Sequence, residues 1–147
     1  MTPSLSHAIV HDALLVGLAL GEKRDFAVSC GLVDASGRDL GVLRHSDASW
    51  ASADLALGKA RLASNYGQPT LDLFERWQRE RPLFGTAVAS WGTQTRWYVC
   101  EGGAPVVDGN GRRLGAVGIA GCFPAAEDHA VAMELVAHIV GNLPLVR

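Results

Sequence analysis

The chain has 147 residues, 48% of them apolar and 19% charged, which is typical of a globular domain. Its 13 basic and 15 acidic residues give a net charge of -2. This balance does not predict the basic surface that binds nucleic acid or an anionic membrane. His11 and Asp12 interrupt the longest apolar stretch near the N-terminus, which therefore predicts neither a signal peptide nor a membrane span. We expect a single cytoplasmic domain over residues 1–147, without nucleic-acid or membrane partners.

The number and spacing of the cysteines limit which covalent and metal sites are expected. Cys30, Cys100 and Cys122 stand far apart, without a C-x-x-C pair and in odd number. This pattern predicts neither a disulfide framework nor a zinc site, and it fits reduced thiols in a cytosol. We therefore expect no bound metal ion.

Periodicity, turn residues and proline positions divide the first part of the chain into helices and one β-hairpin. Apolar residues recur at helical spacing in the first helix, and an Asp-Ala-Ser-Gly turn separates two β-prone runs. Pro82 ends the third helical segment because proline disfavours helix at the residue before it. The predicted elements are a helix over 4–20, a hairpin over 26–33 and 39–44, and helices over 50–66 and 69–81.

The second part of the chain is predicted to form mainly strands, followed by a final helix. Threonine, tryptophan, tyrosine and valine are typical of strands, and a Gly-Asn-Gly turn separates two further β-prone runs. The predicted elements are strand structure over 87–99, a hairpin over 104–108 and 112–120, and a helix over 124–140. The whole order predicts an α+β fold, in which helices pack on an antiparallel sheet.

The two hairpins repeat one sequence pattern. The run VDASGRDLG at 33–41 matches VDGNGRRLG at 107–115 in its valine, aspartate, arginine and leucine positions and in two glycines. An old duplication explains the repeat, and so does the turn chemistry of V-D-x-x-G-R alone. We expect the same hairpin in both places.

Six motifs resemble, in order and spacing, those of the GlcG/HbpS-like family, over about residues 5–140. They are VDASG (33–37), ADLALGKAR (53–61), GQPT (67–70), PLFG (82–85), GGAPV (102–106) and LGAVGIAG (114–121). The resemblance implies a profilin-like α/β sandwich with an antiparallel sheet of about five strands. It also implies a homo-oligomer, and the binding of haem or related tetrapyrroles by some members.

One candidate site lies in the loop after the first hairpin, where Arg44 and His45 stand in place of the family's usual residues. An imidazole can serve as a general base or an iron ligand, and an arginine near a helix N-terminus suits an anionic group. The alternative is a surface histidine at a strand end without a function.

A second candidate precedes the last hairpin. Gly102 and Gly103 permit close approach of the backbone to a ligand, Cys100 can bind iron as a thiolate, and Glu101 can act as an acid or a base. The alternative is a sharp turn in which Cys100 packs as a small apolar residue and Glu101 is solvated. Cys122, in the loop that opens the last helix, is a third candidate.

Most aromatic residues lie between positions 74 and 98, among them Trp97, and they suit either a planar ligand or a subunit interface. Nearby arginines can receive carboxylates, haem propionates included; they are Arg76, Arg79, Arg81 and Arg96. Lys59, among alanines and leucines, is expected either to pair with Asp34 or Asp54 or to reach solvent.

Two functions follow as hypotheses. The first is a small-ligand domain that binds haem or another planar hydrophobic acid in a pocket of aromatic and arginine residues. Its expected cofactor-binding residues are His45, Cys100, Gly102, Gly103, Trp97 and Cys122. The alternative is a cofactor-independent isomerase, cyclase, dehydratase or hydrolase, with Glu101 or His45 as the base and Arg44 holding an anionic group.

Overall fold

The computed structural model describes residues 4–144, except for the side chains of residues 93 and 94. These residues form five helices and four strands. In chain order they are α1 (His7–Glu22), β1 (Ser29–Asp34), β2 (Asp39–Arg44), α2 (Ser52–Tyr66), α3 (Thr70–Glu80), α4 (Pro82–Thr95), β3 (Gly103–Val107), β4 (Arg113–Ala120) and α5 (Ala126–Gly141).

The sheet has the strand order β2-β1-β4-β3, and all neighbouring strands are antiparallel. The predicted α+β class is confirmed, and the described residues contain four strands rather than about five. The prediction of strand structure over 87–99 is wrong, because α4 occupies most of that range. Pro82 fits the first turn of α4, where its missing N–H costs no hydrogen bond, and packing overrides the weak strand preference of the residues that follow.

Helices cover both faces of the sheet. Side chains alternate along β1, so Cys30 and Leu32 enter the core shared with α1 and α5, while Val33 packs against α2 on the other face. A Cβ at Gly118 would overlap the carbonyl oxygen of Ala56. Helix α2 therefore lies on the sheet at a distance that only glycine permits at this point.

The two hairpin turns have the same structure, as their sequences predict. Oδ1 of Asp34 accepts hydrogen bonds from the N–H groups of Ser36 and Arg38, at 2.8 and 3.0 Å. Oδ1 of Asp108 accepts from the N–H groups two and four residues later, at 2.8 and 2.9 Å. Local turn chemistry is sufficient to produce this structure twice.

Candidate functional site

A buried ion pair joins α2 to the start of α5. Nζ of Lys59 lies 2.9 Å from Oδ2 of Asp128, and each side chain is only 3% exposed. Lys59 also donates to the carbonyl oxygen of Ile119 at 2.9 Å, and Oδ1 of Asp128 accepts from the N–H of Cys122 at 2.9 Å. A charge is tolerated inside a protein when it is paired and hydrogen-bonded, as both charges are here. We call Lys59 and Asp128 the buried pair.

The predicted partners of Lys59 were wrong. Neither Asp34 nor Asp54 pairs with it, and its ammonium group does not reach solvent. Asp128 is 69 residues away in sequence, and only the packing of α2 and α5 on the same sheet brings the two together. The apolar surroundings of Lys59 predicted its burial, but nothing in the local sequence identifies its partner.

Two consecutive glycines let the backbone approach the buried pair. Gly102 has a φ of +119°, and a Cβ there would lie 2.5 Å from the carbonyl oxygen of Ile119 and 2.8 Å from Cβ of Asp128. A Cβ at Gly103 would overlap the carbonyl oxygen of Lys59. The close approach predicted for these glycines is thus an approach to the protein's own side chains and backbone.

The predicted thiol and carboxylate of residues 100 and 101 are in contact. Sγ of Cys100 lies 3.1 Å from Oε2 of Glu101. Burial and, to a smaller extent, this hydrogen bond raise the pKa of Cys100 to about 11. The nearby ammonium of Lys59 acts in the opposite direction and lowers this pKa. Burial and Asp128 likewise raise the pKa of Cys122. The surroundings of both thiols thus disfavour the thiolate, the form in which cysteine acts as a nucleophile or metal ligand.

His45 is held by hydrogen bonds at both ring nitrogens. Nδ1 accepts the N–H of Asp47 at 3.0 Å, so the proton is on Nε2, which lies 3.0 Å from Oε1 of Glu22. One terminal nitrogen of Arg44 donates to three carbonyl oxygens within the loop 45–48. Both side chains stabilise the loop in this arrangement. Their predicted roles as base, iron ligand and anion holder stay predictions, and an iron bond to His45 requires one of these hydrogen bonds to open.

The predicted site residues fall into three places. Those at positions 100–103 and 122 surround the buried pair, whereas Arg44 and His45 lie in the loop beside the end of α1. Trp97 lies elsewhere, with its indole N–H donating to the carbonyl oxygen of Val88 at 2.8 Å. Within residues 4–144, no hydrogen bond or ion pair joins Arg44 or His45 to residues 100–103.

A mainly apolar cavity of about 490 Å³ opens between α3, α4 and the segment after α4, with Gln78 and Thr86 as its polar lining residues. We call it the aromatic cavity; its walls include Phe74, Trp77, Pro82, Gly85, Ala89 and Val99. Trp77 packs edge-on against Tyr66 and Phe84, with ring centroids 5.2 and 5.4 Å apart. The aromatic cluster predicted either a pocket or a subunit interface in this region, and the strand prediction for residues of α4 concealed one wall of this cavity.

Two kinds of site are not found in the part of the chain that the structure describes. No group of three or more His, Cys, Asp and Glu side chains is arranged to hold a metal ion. No helix there has the length and apolar character needed to cross a membrane.

Comparison with known proteins places the chain in a family. Residues 5–137 match the family described as "Haem degrading protein HbpS-like". A relative from Citrobacter freundii, an uncharacterized 15.0 kDa protein from the dhaT-dhaS intergenic region, is 34% identical over 90 residues. That alignment covers 61% of this chain and spans 61% of the length of that curated relative.

Solved structures give the same result. Klebsiella pneumoniae protein ORFY has a TM-score of 0.82 at 24% identity, covering 98% of this chain and 95% of that one. A double mutant of Streptomyces reticuli HbpS has a TM-score of 0.79 at 25% identity, with 94% and 88% covered. PduOC, solved as a heme complex, has a TM-score of 0.77 at 25% identity, with 91% and 94% covered. From the family match over residues 5–137 and these folds, the chain belongs to the HbpS-like family.

Proposed function

We propose that the chain binds haem or another planar apolar acid in the aromatic cavity. The observation that carries this proposal is the cavity itself, whose volume of about 490 Å³ suits a small ligand. Phe74, Trp77 and Val99 give it flat, apolar walls. The family match and the heme complex of PduOC support the choice of ligand class.

Arg81 is the arginine next to the cavity in sequence, and we propose it as the partner of an acidic group of such a ligand. Its guanidinium lies 4.5 Å from the ring centroid of Phe84, directly before Pro82 of the cavity wall. No carboxylate forms a salt bridge with Arg81 among the described residues. A guanidinium offers planar, paired donors to a carboxylate, so the acid end of the ligand is expected at the cavity rim.

The lining of the cavity suits the flat ring of a porphyrin but offers no ligand for its iron atom. None of its lining residues is His, Cys, Met or Tyr. Elsewhere, both ring nitrogens of His45 are hydrogen-bonded, and neither Cys100 nor Cys122 lines the cavity. The proposal therefore rests on packing and on Arg81, and it includes no bond from the protein to iron.

A titration with two porphyrins tests the proposal. Haem and iron-free protoporphyrin are added to the protein, and the absorbance is followed to saturation. We expect both to bind in a one-to-one ratio with similar affinity, because packing rather than iron holds them. Ala89→Trp is expected to abolish saturable binding by filling the cavity, while Ala87→Trp, also exposed on α4 but outside the cavity walls, is the matched control.

Two results would overturn this assignment. Unchanged porphyrin binding by Ala89→Trp would place the ligand outside the aromatic cavity. Binding of haem alone, combined with loss of the shifted Soret band in His45→Ala, would instead make His45 the iron ligand. That second result would show that the hydrogen bonds of His45 to Asp47 and Glu22 open when haem binds.

A second function, acid/base catalysis without a cofactor, is favoured by the contact between Cys100 and Glu101. The protonated thiol of Cys100 donates to the half-buried carboxylate of Glu101, near the ammonium of Lys59. We propose Glu101 as the base in this function. His45, the alternative base, and Arg44, the predicted holder of an anionic group, lie apart from Glu101 in the loop beside the end of α1.

Solvent deuterium exchange tests this second function without knowledge of the product. Small 2-oxo and 3-oxo acids are incubated with the protein in D₂O, and loss of the proton beside the carbonyl is followed by NMR. Glu101→Gln is expected to lose exchange, while Glu75→Gln, exposed on α3, retains it. Equal exchange by both variants, and by His45→Ala, would exclude this proton-transfer scheme.

We also propose the homo-oligomer implied by the family resemblance, with a contact at one end of the sheet. Trp50 and Phe123 are 84% and 89% exposed. Trp50 precedes α2, whose Ser52 hydroxyl lies 2.7 Å from that of Ser29, and Ser29 pairs with Ala120 of β4. Large exposed apolar side chains are typical of association surfaces. Light scattering on Trp50→Ser with Phe123→Ser should show a smaller particle than the parent chain.

A further inference from the structure

A second cleft lies at the hairpin-turn end of the sheet and shares no lining residue with the aromatic cavity. Its volume is about 460 Å³, and it is bounded by the first hairpin turn, the second half of α2 and the segment after α4. We call it the arginine cleft, after Arg61 and Arg113 in its walls. It lies at the opposite end of the sheet from the buried pair. Asp34 and Gly115 pair at the end of the β1–β4 ladder beside the cleft, whereas Ser29 and Ala120 pair at the other end.

Arg61 is a fixed and neutralised part of the cleft. One terminal nitrogen donates to both carboxylate oxygens of Asp39, at 2.7 and 2.9 Å, and the other donates to the carbonyl oxygen of Arg96 at 2.8 Å. Its side chain is only 11% exposed. Arg61 therefore gives the wall a defined shape, while Asp39 balances its charge.

Arg113 carries a positive charge that no carboxylate balances among the described residues. One of its terminal nitrogens donates to the carbonyl oxygen of Ser64 at 3.1 Å. That bond supports the last turn of α2, where a cation is favourable, but it uses one of five N–H donors and leaves the net charge in place. An anion in the cleft would supply both the missing charge and acceptors for the remaining donors.

The other walls offer neutral donors and one flat apolar surface. The side chains of Ser36 and Asn65 line the cleft, and both residues are exposed. Trp97 forms part of the wall, and its only hydrogen-bond donor is committed to Val88 at 2.8 Å. The indole is thus held in place and contributes apolar surface rather than polar contacts.

From this combination we infer that the arginine cleft binds a small organic anion. A carboxylate or phosphate group would pair with Arg113 and accept from Ser36 or Asn65, and the apolar part of the ligand would pack on Trp97. This site is separate from the proposed porphyrin cavity and does not depend on it. Phosphate and carboxylate share the recognition chemistry, and the probes below separate them.

An NMR titration of the ¹⁵N-labelled protein tests the inference. Phenyl phosphate and phenylacetate are the charged probes, and benzyl alcohol is the uncharged one. We expect saturable shifts of the Trp97 indole N–H and the Asn65 side-chain amide with at least one charged probe, and none with benzyl alcohol. The probe that binds more tightly identifies the anionic group.

A matched pair of arginine variants tests whether Arg113 carries the binding. Arg113→Ala is expected to weaken the tighter probe about tenfold or more, the usual effect of losing a hydrogen bond to a charged group. Arg112→Ala is the control, because Arg112 is the adjacent residue, pairs with Asp108 and lies outside the cleft walls. It should change the affinity by less than a factor of about two.

A second matched pair leaves the end of α2 intact. Ser36→Asp places a negative charge in the cleft and should weaken the charged probes, while Asn110→Asp makes the equivalent change in the other hairpin turn, outside the cleft. The inference is overturned by the absence of saturable shifts in the parent protein. It is also overturned by equal affinities within either pair, or by shifts confined to Trp77 of the aromatic cavity.

Discussion

Lys59 and Arg61 lie two positions apart on α2, yet their ion pairs have very different surroundings. Lys59 faces the sheet, and both it and Asp128 are 3% exposed. Arg61 reaches the start of β2, where its partner Asp39 is 44% exposed. Residues two apart on a helix point to different sides, so one short stretch of α2 contributes to a fully buried ion pair and to a pair whose carboxylate is open to water.

This difference determines what each pair contributes. Removing one partner of a buried pair leaves an uncompensated charge inside the protein, whereas water solvates the survivor of an exposed pair. We therefore assign the Lys59–Asp128 pair to joining the start of α5 to α2 and to the end of β4. The Arg61–Asp39 pair instead shapes the wall of the arginine cleft.

The largest expected effect is that of Lys59→Met. Asp128 would remain buried without its cation, and the free energy of unfolding should fall by about 3–5 kcal/mol. Urea denaturation followed by circular dichroism measures the change. The double variant Lys59→Met with Asp128→Leu should recover part of the loss, because it removes the unpaired charge; a double variant as unstable as the single one would argue against this cause.

Glycines at the two ends of the sheet extend the comparison. Gly102→Ala should cost about 3 kcal/mol, the upper end for a strained backbone, because its φ of +119° and the contacts with Ile119 and Asp128 both oppose a Cβ. Gly37→Ala, in the first hairpin turn, has a φ of +82° but open space around it, and should cost about 1 kcal/mol. Thermal and urea unfolding of both variants check this, and equal losses would contradict it.

Alkaline pH provides a third comparison. Burial raises the pKa of Cys30, which is paired with Ile119 in the sheet, from about 9 to about 12. The unfolded chain loses this proton as the pH rises past 9, whereas the folded chain keeps it. The contribution of Cys30 to the free energy of unfolding is therefore fully present below pH 9 and is lost progressively between pH 9 and 12.

Between pH 9 and 12, the free energy of unfolding is expected to fall by about 1.4 kcal/mol for each pH unit because of Cys30. Urea denaturation at several pH values, for the parent protein and Cys30→Ala, separates it from the other groups that titrate in this range. The variant should be less stable at neutral pH, because it leaves a small cavity, but should lose less stability on going to alkaline pH. Parallel pH profiles for the two proteins would refute the assignment to Cys30.

The smallest expected effect is that of Asp39→Asn. The asparagine keeps an oxygen that can accept from Arg61, and Arg61 keeps its hydrogen bond to the carbonyl oxygen of Arg96, so the free energy of unfolding should change by less than about 1 kcal/mol. The same denaturation assay measures this. A loss as large as that of Lys59→Met would mean that exposure is not what separates the two pairs.

Much of the fold was predictable because its signals are local. The hairpin turns depend on Asp and Gly within a few residues, and both turns form as their shared pattern predicts. Strand structure was wrongly predicted for α4 because its local preferences are weak. Packing against α3, where Val88 joins Leu73 and Trp77 in one apolar cluster, decides its conformation instead.

The candidate site was predictable only in part. Cys100, Glu101, Gly102 and Gly103 were identified from their chemistry, and they do surround a polar centre. The centre itself was not foreseen, because Asp128 lies 69 positions from Lys59 and no local pattern connects the two. The arginine cleft was also missed, since Arg61 and Arg113 are 52 positions apart and meet only where α2 lies beside the start of β4.

The sequence by itself therefore determined the α+β class, both hairpins and the family resemblance, because periodicity, turn chemistry and motif spacing are properties of short segments. The tertiary structure alone decided which charges pair and which residues share a cavity. These outcomes depend on contacts between residues distant in sequence, whose burial sets the cost of a charge and whose packing leaves the cavities open.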